Sequence, residues 1–194
     1  MVAGQPLFHP RATTPDSKKP VMTAPAIEGC LDACRRCLTL VGIVENAGTT
    51  GSKQAYAAIG PHLRHCVDHM QCLLRGVESG VVDYDARDRE EILEIDADRM
   101  RQRLGRLADE LSKIDPAALR RPLRVRQTAA LGSPPATVDS NLEREIVFLS
   151  GHNIHHIAIM ALLVRKHGVA VPEGLDMAFS TAEHAGAVDP EAGG

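Results

Sequence analysis

Apolar side chains recur along this chain at the three- and four-residue spacing of helices. From Ile27 the series Ile27, Cys30, Leu31, Cys34, Leu38, Leu40, Val41 and Val44 predicts a helix over about 26–46, entered after Pro25 and left before Gly48. A second helix is predicted to start at Gly60-Pro61, with proline in its favoured first turn, and to end near Gly80. Leu93, Ala97, Met100, Leu104, Leu107 and Leu111 stand 4, 3, 4, 3 and 4 residues apart among charged neighbours, which predicts an amphipathic helix over about 85–113, closed by Pro116. Ser140 and Glu143 have the spacing of a capping box, in which the Ser side chain takes a backbone N–H and the Glu reaches back. A fourth helix follows from there to His167, with Gly168 as its stop.

Residues 114–136 form a Pro-, Gly- and Arg-containing connection in which LRVRQTAA could make a short extended piece. Four helices, one long connection and no other strand pattern predict an all-α fold, a four-helix bundle over 25–175. The unpatterned residues 1–24 read as a flexible leader and 176–194 as a C-terminal tail.

Composition supports a helical core. The chain has no Trp, two Tyr and three Phe, so Leu, Ile, Val, Ala and Met must fill the interior. Its 194 residues suit one domain. A net charge of −3 without a cluster of five or more basic residues argues against nucleic-acid or anionic-membrane partners. No continuous apolar run approaches a membrane span and no signal-peptide pattern is visible, so a cytoplasmic location is expected. The five cysteines, Cys30, Cys34, Cys37, Cys66 and Cys72, are odd in number and do not read as a disulfide framework.

The chemistry concentrates in histidines. His152 and His156 lie four residues apart on the fourth helix, on the stripe of Leu142, Ile146, Leu149 and Met160, whereas His155 falls at the edge. Buried neutral imidazoles need partners, and an HxxxH pair can offer two nitrogens to one ion. The plainer alternative is two core-edge histidines bonded to backbone or carboxylates. The second helix tips the balance, because it carries His62 and a second pair, His65 and His69. Helical phase puts His69 and His62 closer than His65 to the stripe of Leu63, Val67, Met70 and Leu74.

Ile59 to His69 (IGPHLRHCVDH), followed by Asn141 to His156 (NLEREIVFLSGHNIHH), resembles the DinB superfamily of four-helix bundles, over roughly residues 27–180. The resemblance implies an open Ni²⁺ or Zn²⁺ site on His65, three residues before Asp68, with His152 and His156, and with His69 as substitute or neighbour. It further implies a small-molecule substrate, in S-transfer with a low-molecular-weight thiol or in hydrolysis, and a homodimer is expected. Asp68 and Glu145 are candidates to support the ligands, or are plain surface carboxylates.

Two further motifs stand apart. Cys30, Cys34 and Cys37 share one helical face; they either pack a seam or, with Cys66 or Cys72, serve a soft metal or a redox response without turnover. Arg120, Arg121, Arg124 and Arg126 belong to a solvated loop, or one of them reaches a substrate carboxylate. Tyr84 is expected to open the third helix.

Overall fold

The computed structural model describes residues 24–48 and 50–187. The protein is mostly helical with a small three-stranded sheet. Helix α1 spans Pro25–Asn46, α2 Thr50–Ser79, α3 Ala97–Ser112, α4 Leu142–Lys166 and α5 Phe179–Ala187; the strands are β1 Val81–Asp83, β2 Pro122–Gln127 and β3 Ala136–Asn141. The first four helices pack on one another, α1 against α2, α3 and α4, and α2 against α3 and α4. Their shared interior holds Leu40, Ile59, Leu63, Met70, Met100, Leu104, Ile146 and Leu149, all 0% exposed.

Helix α2 begins ten residues before the expected Gly60-Pro61 start, and Pro61 lies inside it. Ala55, Tyr56 and Ile59 are buried, and the packing of that extra length outweighs the one backbone donor that Pro61 lacks. Gly60 has a packing role: a Cβ there would collide with the backbone of Glu94, in the 3-10 turn Glu91–Glu94 that lies against α2. Tyr56 donates to the carbonyl of Leu93 in the same turn at 2.9 Å.

The expected third helix is shorter than its apolar spacing implied. Asp96 caps α3, its side chain accepting from the Arg99 N–H, and Leu93 reaches the core from the 3-10 turn. Leu93 therefore keeps the helical spacing without being in the helix. Upstream, Arg89 has φ +53, a left-handed conformation that ends any continuation toward residue 85.

The sheet corrects the all-α expectation. Its order is β1-β2-β3, with β1 parallel and β3 antiparallel to β2. β2 falls within the stretch read as extended; Leu123 and Val125 alternate inward and are buried. β1 is only three residues long, and β3 is largely exposed along its length, so neither leaves an apolar alternation to detect.

The capping box is also corrected by one position. Asn141, not Ser140, caps α4, accepting from the Arg144 N–H at 2.9 Å, while the Ser140 hydroxyl donates to Glu145 at 2.6 Å. α4 has a mean hydropathy of 1.5 over an 18-residue window, so by length and composition it could cross a membrane, although polar residues interrupt its apolar run. Eleven of its residues are buried against the rest of the protein.

Residues 1–23 of the expected leader and 188–194 of the expected tail lie outside the described residues. The first part of that tail belongs to the fold. Arg36 donates to the carbonyls of Leu175 and Met177, Arg165 pairs with Asp176, and α5 follows.

Candidate metal centre

Five histidines from two helices meet where α2 crosses α4. His65 Nε2 lies 2.9 Å from His152 Nε2, and His62 Nδ1 lies 3.1 Å from His156 Nδ1. The rings of His65 and His156 are 4.5 Å apart, and those of His69 and His152 are 4.7 Å apart. Among the described residues, His65, His69 and His152 alone form a group whose potential ligand atoms all lie within 4.8 Å of one another. A tetrahedral ion with bonds of 2.0–2.1 Å sets its ligand nitrogens roughly 3.3 Å apart, so small side-chain adjustments would suffice.

Of the three ligands that the resemblance implied, His65 and His152 are thus in direct contact. His156 is beside His65, while its Nδ1 faces His62. His69 joins the group as helical phase suggested. His65 belongs as well, although the apolar stripe placed it on the far side. The reason is that α2 is covered on several sides, by α1, α3, α4, β1 and the 3-10 turn, so one stripe does not describe its buried surface. His155 is exposed, at the rim, as expected.

The tautomers have physical causes. His69 Nδ1 lies 2.9 Å from the carbonyl of His65, and since a carbonyl only accepts, that nitrogen carries the proton. The lone pair of His69 Nε2 is then free for a ligand, the arrangement that second-layer carbonyls give to metal-binding histidines. Burial is the largest influence on His62, His65, His69, His152 and His156 and favours the neutral form of each. His65 is pushed down to about 3, because its protonated form would also be repelled by Arg87 and by any protonated His69, His156 or His152. His152 and His156 are each pushed down to about 4, and His62 and His69 are also lowered. Neutral imidazoles are the form that binds metal.

The two candidate carboxylates stand back from the imidazoles. Asp68 is 2% exposed; it pairs with Arg64 at 2.9 Å and accepts from the Arg89 N–H at 3.3 Å. Glu145, fully buried, accepts from Tyr84 Oη at 3.0 Å, from Ser140 and from Arg144 at 2.8 Å. Glu145 reaches the histidines through Tyr84, whose ring stacks on His69 at 5.5 Å and 22°. Tyr84 therefore follows β1 and forms a wall of the site instead of opening α3.

The loop after Tyr84 supplies a residue that no motif or periodicity marks. Arg87 Nη1 lies 3.3 Å from His65 Nδ1. The Arg-rich stretch before α4 is engaged elsewhere: Arg120 pairs with Glu143, Arg121 donates to the Val77 carbonyl and Arg126 pairs with Asp83.

Cys34 and Cys37 of α1 meet Met70 and Cys66 of α2, whereas Cys72 faces the loop at Ala86. Cys30, Cys34, Cys37 and Cys66 are 0% exposed and all are free thiols. Cys34 Sγ lies 3.3 Å from Met70 Sδ, and Cys37 lies beside Cys66. Burial drives Cys34 up to about 12 and raises Cys30; the neighbouring Cys66, followed by burial, raises Cys37. They pack as small apolar groups.

Comparison of the chain with family models, curated proteins and solved structures returns no match.

Proposed function

We propose that this protein is a DinB-like four-helix bundle that binds one Ni²⁺ or Zn²⁺ ion in an open site of imidazoles. The observation that carries this reading is the convergence of His65, His69 and His152 at the α2–α4 crossing, with the His69 tautomer set for ligation. The donor set fits a borderline metal: neutral nitrogen ligands, half-buried His65 and His152, and no carboxylate hydrogen-bonded to any of the five rings among the described residues. His156 is the further ligand or lines the open side, next to His65.

When bound, such an ion supplies Lewis acidity and lowers the pKa of a coordinated water or thiol. We assign the protein to the metal-dependent enzymes acting on a small molecule, by thiol-dependent S-transfer or hydrolysis. This chain's own residues hold the imidazoles in place. The His65 carbonyl fixes His69, and Tyr84, tied to buried Glu145, stacks on that same ring and shields it from water on one face.

The test is metal analysis and zinc or nickel titration of protein prepared without a histidine tag. One equivalent bound, and lost in His152→Ala, supports the reading. No metal bound at neutral pH would sink it.

A further inference from the structure

Arg87 is in an unusual position for a guanidinium. It makes no ion pair with any carboxylate among the described residues. Its Nη1 meets only the neutral ring of His65, and its Nε is buried without a hydrogen-bond partner. The nearby acid, Asp68, is already held by Arg64 and by the backbone of Arg89. The loop that carries Arg87 is fixed on both sides: Arg75 donates to the Ala86 carbonyl at 2.7 Å and pairs with Asp88, and the left-handed Arg89 docks on Asp68. The backbone is anchored through these neighbours, so any rearrangement at this position falls to the side chain.

The contact with His65 is incompatible with ligation by that residue. Arg is a donor only, so His65 Nδ1 accepts and, in the neutral ring, Nε2 carries the proton. That proton points at His152 Nε2, 2.9 Å away. If His65 binds a metal through Nε2, the proton must move to Nδ1, and two donors then face each other. If His65 binds through Nδ1, the metal takes the place of the guanidinium. Either way Arg87 must let go.

Resting on the metal reading above, we infer that Arg87 is the anion-recognition residue of the site: it caps His65 in the metal-free protein and, once metal is bound, grips a carboxylate on the small-molecule ligand. A divalent ion beside a guanidinium, with no acidic side chain hydrogen-bonded to the imidazoles among the described residues and with Asp68 engaged by Arg64, leaves a net positive pocket. One guanidinium fork matches one carboxylate in both charge and planar geometry.

The experiment uses the full chain, with zinc and acetate as probes and a folded helical spectrum checked for each variant. Arg87→Met is expected to weaken acetate binding to the zinc-loaded protein at least tenfold. It should leave zinc affinity measured without acetate unchanged or raise it several-fold, because no bond to His65 has to break. Arg87→Lys, which keeps the charge but loses the fork, should fall between. Unchanged acetate affinity in Arg87→Met, or a loss of zinc affinity, would overturn the role of Arg87 and leave the metal site standing. Failure of the unmodified chain to take up zinc would overturn both.

Discussion

Two groups of metal-binding residue types lie along α2, and they have opposite fates. On the α1 side, Cys30, Cys34 and Cys37 repeat at helical spacing and meet Cys66 and Met70, yet every sulfur-bearing residue there is sealed in the core. On the α4 side, histidines at the same kind of spacing meet across an interface that is only half-buried and is bordered by a polar loop. Similar spacing therefore produces packing in one place and a candidate site in the other. What separates them is access and the direction of the lone pairs. A thiol surrounded by side chains of the core stays protonated and acts as a small apolar group, whereas an imidazole whose far nitrogen is pinned by a carbonyl offers its near one.

The comparison is sharpest in metal binding. His69→Ala and His152→Ala are each expected to lower zinc affinity by roughly 100-fold or more, as loss of a direct ligand should exceed the 10–100-fold typical of a supporting residue. Cys34→Ser should leave zinc affinity unchanged. His156→Ala decides whether that ring is a ligand: a loss as large as that of His69→Ala makes it one, and a loss below about tenfold makes it a lining residue. Metal retained in His69→Ala but lost in Cys34→Ser would reverse the contrast. Calorimetric titration of each variant reads all four.

The two sides should also respond oppositely to pH in the metal-free protein. His65, His152 and His156 have folded values of about 3 to 4 against 6.5 when unperturbed. The unfolded chain thus takes up more protons below pH 6.5, and stability is expected to fall as pH drops from there toward 4. Cys30, Cys34 and Cys37 are raised above the ordinary 9.0. Their contribution is present below pH 9 and is lost above it, as thiols ionise in the unfolded chain first. Urea unfolding across the pH range checks both limbs. His152→Ala should soften the acid limb alone.

Smaller effects follow from packing. Cys37→Ser puts a hydroxyl into the sealed seam and is expected to cost about 2 kcal/mol by urea unfolding. A thiol reagent should find no fast-reacting cysteine among Cys30, Cys34, Cys37 and Cys66 until the protein unfolds. The smallest change expected is a gain. Asn153 is 0% exposed, with both side-chain polar atoms lacking partners, so Asn153→Leu should stabilise the fold by about 1 kcal/mol. Destabilisation by this variant would show that the amide has a partner that packing alone does not supply.

What could be read in advance follows the same division. Periodicity located α1, α4 and the apolar side of α3, because each presents one continuous stripe to the interior. It failed on α2, which is covered on several sides, and so it misjudged His65. It extended α3 too far because Leu93 keeps the spacing from a 3-10 turn. The strands were hard to see because β1 is short and β3 is exposed. Histidine spacing pointed to the α2–α4 crossing. Tyr84 and Arg87 left no signal, as they reach the site from a loop and no repeat marks such residues.

The anchoring of residues 84–90 to the outer side of α2 has a consequence for how this protein could diversify. The imidazoles sit on two long helices whose placement is tied to the core, so changing them endangers the fold. Tyr84 and Arg87 sit on a strap held by Cys72, Arg75 and Asp68, none of which is a histidine of the cluster. Replacing the strap between fixed anchors would alter what is recognised above the imidazoles while leaving the imidazoles untouched. The binding of an ion and the choice of its companion ligand are thereby carried by separate pieces of chain, and the second can be exchanged without rebuilding the first.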